Sequence, residues 1–184
     1  MTEQLGPLTS MICLDFGLGW QTCTDLEFEH SPIESSMHID RTWNGAAEDM
    51  SDPAFDLFAV SIKSQGAGEL RAPALDRLRR LDEFVCVPTF EFVDTIRATG
   101  TTRTLIRDPY EPSIRVLDEA FNDIPFSVSG RVITLSSPAT STLRIYYRPI
   151  LSLKVFAPWK ETFVESAAEV SWELYCEEVG GPDE

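Results

Sequence analysis

The sequence predicts an all-β chain: an antiparallel β-sandwich or barrel carrying one short helix. Three observations lead there. Residues 169–177 read Glu-Val-Ser-Trp-Glu-Leu-Tyr-Cys-Glu, which sets Val170, Trp172, Leu174 and Cys176 on one side of an extended strand. Glu169, Ser171, Glu173, Tyr175 and Glu177 fall on the other side, so one face is buried and one is wet. Eleven Phe, and many β-branched residues after position 84, suit a pleated surface better than a helix bundle. Twelve Pro and ten Gly cut the chain into short segments.

Each element follows from local pattern. Residues 1–10 are a loose lead-in. Met11 to Phe16 is a candidate strand closed by Gly17-Leu18-Gly19-Trp20. Asp25 to His30 alternates acid with Leu26 and Phe28. After a polar loop at 31–36, Met37 and Ile39 start an extended piece toward Trp43, and Asn44-Gly45 is a hairpin turn. Ser51-Asp52-Pro53 opens a single helical turn, and Leu57 to Ile62 is a strand. Leu75, Leu78 and Leu81, spaced by three with Arg77, Arg79 and Arg80 between them, predict the short amphipathic helix over 73–81. Phe84 to Ile96 contains Pro88, so it is an edge strand or two short ones. Arg103 to Arg107 is short and extended. Ile114 to Leu117, Phe126 to Ser129 and Arg131 to Leu135 read as a meander with a tight turn at Ser129-Gly130. Thr142 to Tyr147 alternates until Pro149, and Ile150 to Phe156 resumes. Pairing 142–156 with 163–177 as one long antiparallel hairpin is the expected contact. The whole is expected to be a single β-rich domain over 1–184, with room for a small insertion or subdomain at about 108–140.

Charge narrows the function classes. The formal net charge is −15, from 30 acidic and 15 basic residues. Residues 1–60 hold eleven acids and a single base, Arg41. Such a surface repels phosphate backbones, so specific nucleic-acid binding is not expected. It steers basic partners instead. Cys13, Cys23, Cys86 and Cys176 form no CxxC pair, which predicts reduced, buried thiols. No apolar run reaches the length of a membrane span. The first residues show no signal-peptide pattern, so synthesis in the cytoplasm is expected.

Chemistry-bearing constellations are sparse. His30 and His38, with Glu27, Glu29, Glu34 and Asp40, contain metal-ligating types at a spacing that matches no compact motif. No GxSxG elbow or Ser–His–acid set appears. Gly17-Leu18-Gly19 lacks the third glycine and the following helix of a phosphate loop. Asp108-Pro109-Tyr110-Glu111-Pro112 is either a recognition loop or a structured connection. No catalytic, cofactor-binding or metal-binding residue is therefore assigned, and no enzyme activity or cofactor is expected.

Two stretches carry a resemblance. The first runs from Asp40 to Pro88 and includes Arg41-Thr42-Trp43-Asn44-Gly45, Asp49-Met50-Ser51-Asp52-Pro53-Ala54-Phe55, Ala72-Pro73-Ala74-Leu75-Asp76 and Val85-Cys86-Val87-Pro88. The second includes Tyr147-Arg148-Pro149-Ile150-Leu151-Ser152-Leu153-Lys154-Val155 and Val170-Ser171-Trp172-Glu173-Leu174-Tyr175-Cys176-Glu177-Glu178-Val179. Together they cover about half the chain. They resemble minor tail proteins, of the tail-tip or baseplate kind, from long-tailed (siphovirus-type) bacteriophages. The resemblance implies a virion structural protein without catalytic residues, β-rich, homo-oligomeric as a ring around the tail axis, and in contact with other phage tail proteins. An exposed sheet edge or the turn at Trp159 would supply ring contacts. The alternative is a stand-alone β-sandwich binding module for carbohydrate or a host receptor, using Trp20, Trp43, Trp159 and Tyr110.

Overall fold

The computed structural model describes residues 11–13, 26–33, 39–49, 56–64, 79–157, 159–167 and 169–180. All regular structure in them is β, apart from one 3-10 turn at Glu111–Ser113. The pairings are antiparallel and no sheet closes into a barrel. The helix expected over 73–81 lies outside the described residues up to 78. Arg80 and Leu81 form a turn.

The chain divides into two compact units, residues 13–86 with 152–184, and residues 87–151 grouped with 1–12. The division runs at 87 and 151, wider than the subdomain expected at about 108–140.

The first unit is built on one large sheet. Its strands are β1 (Ile12–Cys13), β2 (Leu26–Pro32), β5 (Phe58–Ser64), β6 (Glu83–Val87), β13 (Leu151–Val155), β14 (Lys160–Val164) and β15 (Glu169–Glu178), in the order β1-β6-β13-β15-β5-β2 with β14 also on β15. A separate hairpin joins β3 (Ile39–Arg41) to β4 (Ala47–Asp49) through Asn44-Gly45, with Gly45 at φ +84°, the left-handed conformation such turns require. The faces of β15 fall as the alternation dictates: Val170, Trp172, Leu174 and Cys176 are buried. Each such side chain contributes on the order of 1.5–3 kcal/mol through removal from water. Val60, Ile62, Leu153 and Val155 continue the apolar face on neighbouring strands.

The other face of this sheet is a charge ladder. Register places Glu27 opposite Lys63, Lys63 opposite Glu173, and Glu173 opposite Lys160. Acid and base thus alternate across four strands, an arrangement that favours this register over a one-residue slip. Lys63 Nζ lies 2.8 Å from Glu29 and 3.9 Å from Glu173, and its pKa is raised chiefly by the Glu29 hydrogen bond. Lys154 extends the pattern to Glu83 at 2.7 Å.

The second unit is a small sandwich of two three-stranded sheets. One has the order β7 (Phe92–Ile96), β12 (Leu143–Tyr147), β9 (Arg115–Leu117); the other β10 (Phe126–Ser129), β11 (Val132–Leu135), β8 (Thr102–Thr104). Both contribute to one core of Ile96, Val116, Ile133, Leu135, Leu143, Ile145 and Tyr147, with Phe92, Phe126 and Val128 packed against it. Gly130, at φ +56°, turns β10 into β11.

Two expected contacts are corrected. Residues 143–147 do not join the C-terminal hairpin: β12 pairs with β7 and β9. The hairpin runs instead from 151–164 to 169–178, with β13 and then β14 along the same edge of β15. Between the Val155–Cys176 and Lys160–Glu173 pairs the first strand is two residues longer than β15, so it bulges before Lys160, and Phe156 still donates to the Tyr175 carbonyl at 3.2 Å. The meander is also split. β9 belongs to one sheet of the sandwich, β10 and β11 to the other. Alternation reports which face is buried, not which strand lies alongside.

Candidate functional site

The histidine–carboxylate constellation does not assemble among the described residues. His30 lies on β2 opposite Val60, its ring edge-on to Phe58 at 5.7 Å. Strand alternation sends Glu27 and Glu29 to the opposite face, and Glu29 is taken by Lys63. Asp40 accepts from the Arg41 N–H on β3. His38 and Glu34 lie outside the described residues. Among the described residues no group of three His, Cys, Asp or Glu could hold a metal ion.

Cys13, Cys86 and Cys176 are buried thiols, and Cys23 lies outside the described residues. Burial pushes the Cys176 thiol up to about 12, so it stays protonated and unreactive at neutral pH.

The aromatics named for recognition separate sharply. Trp43, at the tip of the β3–β4 hairpin, is 99% exposed. Thr42 Oγ1 donates to Asn44 Oδ1 and Arg41 Nη1 to the Gly45 carbonyl at 3.1 Å, so a hydrogen-bonded turn presents the indole to water. Trp159 is half-buried in the bulge. Trp20 lies outside the described residues. Tyr110 is half-buried, and the segment 108–112 is a structured connection rather than an open loop. The Tyr110 N–H donates to the Arg148 carbonyl, the Ile150 N–H to the Asp108 carbonyl, and Pro109 bridges Pro149.

Arg148 is the polar centre of that connection, and nothing in its local sequence pattern marks it as such. It is 2% exposed. Its Nη2 donates to the Val87 carbonyl at 2.9 Å and its Nε to the Pro88 carbonyl; its main-chain N–H donates to Ser113 Oγ at 2.9 Å. The guanidinium therefore fastens the segment that leaves β6 to the segment that leaves β12. A second charged contact lies nearby in the same unit. Buried Asp94 receives Arg103 Nε at 2.9 Å and Nη2 at 2.8 Å, a bidentate pair that raises the Arg103 pKa. Every buried side-chain nitrogen and oxygen among the described residues has a partner. These contacts hold the fold together.

Several large apolar side chains are exposed, some of them at or beside turns. Phe121 is 68% exposed at φ +62°, in a turn whose Asp118 carboxylate accepts from the N–H groups of Ala120 and Asn122 at 2.8 Å. Those hydrogen bonds, with the Asn122 side chain first, hold the Asp118 pKa below the usual carboxylate value. Phe163 and Val164, beside the turn joining β14 to β15, are 56% and 42% exposed. The outer face of the β7-β12-β9 sheet carries Val93, Tyr146 and Leu117 between Arg115 and Arg144, with Arg115 over the Tyr146 ring at 5.6 Å. Charge divides unevenly between the units. Residues 87–151 hold seven acids and seven arginines, so the surplus of −15 belongs to the rest of the chain.

Comparison with protein families, with curated proteins and with solved structures found no match.

Proposed function

We propose that this chain is a non-enzymatic structural component of the tail tip or baseplate of a long-tailed bacteriophage. It is made in the host cytoplasm and built into the virion, where it forms or joins a ring around the tail axis and touches other tail proteins. The observation that carries this reading is the set of exposed aromatic and apolar side chains at or beside β-turns: Trp43, Phe121 and the Phe163–Val164 pair, on a scaffold whose buried side-chain polar atoms among the described residues are already satisfied. Large exposed apolar groups on a satisfied scaffold suit a protein that docks rather than one that transforms a substrate. The resemblance in residues 40–88 and 147–179 supplies the setting.

Immunogold labelling of purified particles with antibody to this chain tests the setting. Label confined to one end of the tail supports it, and particles without label refute it. The acidic surplus fits a ring through whose bore DNA slides without sticking. Reversing several acids within 25–56 should then slow DNA ejection and leave assembly intact; unchanged ejection counts against a place at the bore.

Trp43 favours one other reading, a monomeric module that binds carbohydrate or a host receptor through stacked aromatics. Glycan titration separates the two. A module loses its ligand on Trp43→Ala and stays monomeric, whereas a ring component shows no saturable glycan binding.

A further inference from the structure

Two exposed surfaces of this chain complement each other. The first is the outer face of the β7-β12-β9 sheet. Cross-strand register sets Tyr146 between Val93 and Arg115, and Arg144 between Thr95 and Leu117. Val93 is 56% exposed, and Tyr146 and Leu117 are half-exposed. Arg115 is engaged by Glu91 at 2.9 Å, but Arg144, and Arg97 just after β7, have no ion-pair partner among the described residues. Residues 87–151 hold equal numbers of acids and arginines, and on this face Arg97 and Arg144 are the guanidinium groups that no carboxylate among the described residues engages.

The second surface is the tip of the β14–β15 hairpin. Beyond Lys160 the chain contains eight acids and no base. The tip sets Glu165 and Glu169, both exposed and without an ion-pair partner among the described residues, beside exposed Phe163 and Val164. Tip-to-tip association would bring four like charges together, which opposes a symmetric contact. An apolar tip rimmed by carboxylates fits an apolar face rimmed by arginines, and this chain carries one. Arginine and aromatic side chains are also the groups that anchor protein interfaces.

We propose that copies of this chain associate head to tail, the acidic Phe163–Glu169 tip of one copy seating on the Val93–Tyr146–Arg144 face of the next. The contact is heterologous, the kind from which rings are built. It rests on the assembly reading above and names the partner as a second copy.

Reciprocal charge reversal tests it. The full chain is made as Arg97→Glu/Arg144→Glu and as Glu165→Lys/Glu169→Lys. All four positions are exposed, and circular dichroism checks that both variants fold. In sedimentation velocity each variant alone should associate about tenfold more weakly than the parent chain, equivalent to about 1.4 kcal/mol. Mixed in equal amounts, the two should associate again, because each reversed face then meets a reversed tip. Native mass spectrometry should show alternating composition. Association of either variant at parental strength overturns the contact, as does a mixture that stays dissociated. Parental self-association that ignores both reversals removes this contact but leaves assembly standing, so the two failures are told apart. A parent chain that never self-associates overturns the proposal outright.

Discussion

Replacing Arg148 with Met measures how the two connecting segments are held. Methionine keeps most of the apolar stem volume but supplies no donor. The carbonyls of Val87 and Pro88 would lose the guanidinium while staying buried. A buried acceptor left unsatisfied costs about 1–3 kcal/mol, so two cost about 2–6 kcal/mol, with about 4 as the central value. Exchanging a whole buried polar pair for apolar groups can be neutral, but here one side of the contact remains. For a chain of this size each kcal/mol moves the melting temperature by about 2–4 °C, so the midpoint should fall by about 8–16 °C. The assay is thermal unfolding followed by near-ultraviolet circular dichroism, with urea unfolding for the free energy. Amide exchange should quicken first at 108–113 and at 148–150, where the main chain hangs on the same contact. A midpoint within 2 °C of the parent would show that the clamp carries no weight.

Three further outcomes follow from the same structure. Trp172→Ala should cost about 3–5 kcal/mol in urea unfolding, because the indole is 5% exposed on the buried face of β15; a change near zero would invert the face assignment. Burial raises the folded-state pKa of both Cys176 and Tyr147, so the unfolded chain releases these protons first as pH rises. Their stabilising share is complete below the unfolded thiol value of about 8.5 and is lost as pH climbs toward 12; Cys176→Ala should flatten that alkaline decline, and an unchanged slope would contradict it. Thr99 is exposed at φ +72°, a conformation costing a β-branched residue about 1–2 kcal/mol, so Thr99→Gly should stabilise by about 0.5–1 kcal/mol net of glycine's entropy, where a loss of stability would show that the turn is unstrained.

The strands were legible in the sequence because a half-buried strand repeats every two residues, and 169–177, 142–147 and 150–156 show that period plainly. Asn44-Gly45 and Ser129-Gly130 were legible because few residues tolerate positive φ. Partner choice was not. Leu143, Ile145 and Tyr147 have the same alternation whether β12 joins the C-terminal hairpin or the sandwich, and only the fold reveals that it joins β7 and β9. One signal does mark the change of partner. Pro88 and Pro149 lie beside the two points where the chain passes between its units. Proline breaks a ladder, and a chain that changes sheets must break one. Arg148 was illegible for a different reason. An arginine beside a proline reads as a surface residue until the carbonyls that enclose it are known. The candidate surfaces were partly visible: Trp43 was named, but Phe121, Phe163 and the uncommitted Arg144 were not. Exposure of an apolar side chain is a property of tertiary structure, and alternation alone gave Phe163 no separate status.

The claim that this chain works by fitting against further copies meets its most direct test in sedimentation equilibrium of the parent protein, run across a wide concentration range at low and at high salt. The mass should climb above the 20.6 kDa monomer with concentration and retreat as salt screens the Arg144 and Glu165 charges. One ideal monomer at every concentration, whatever the salt, would contradict it.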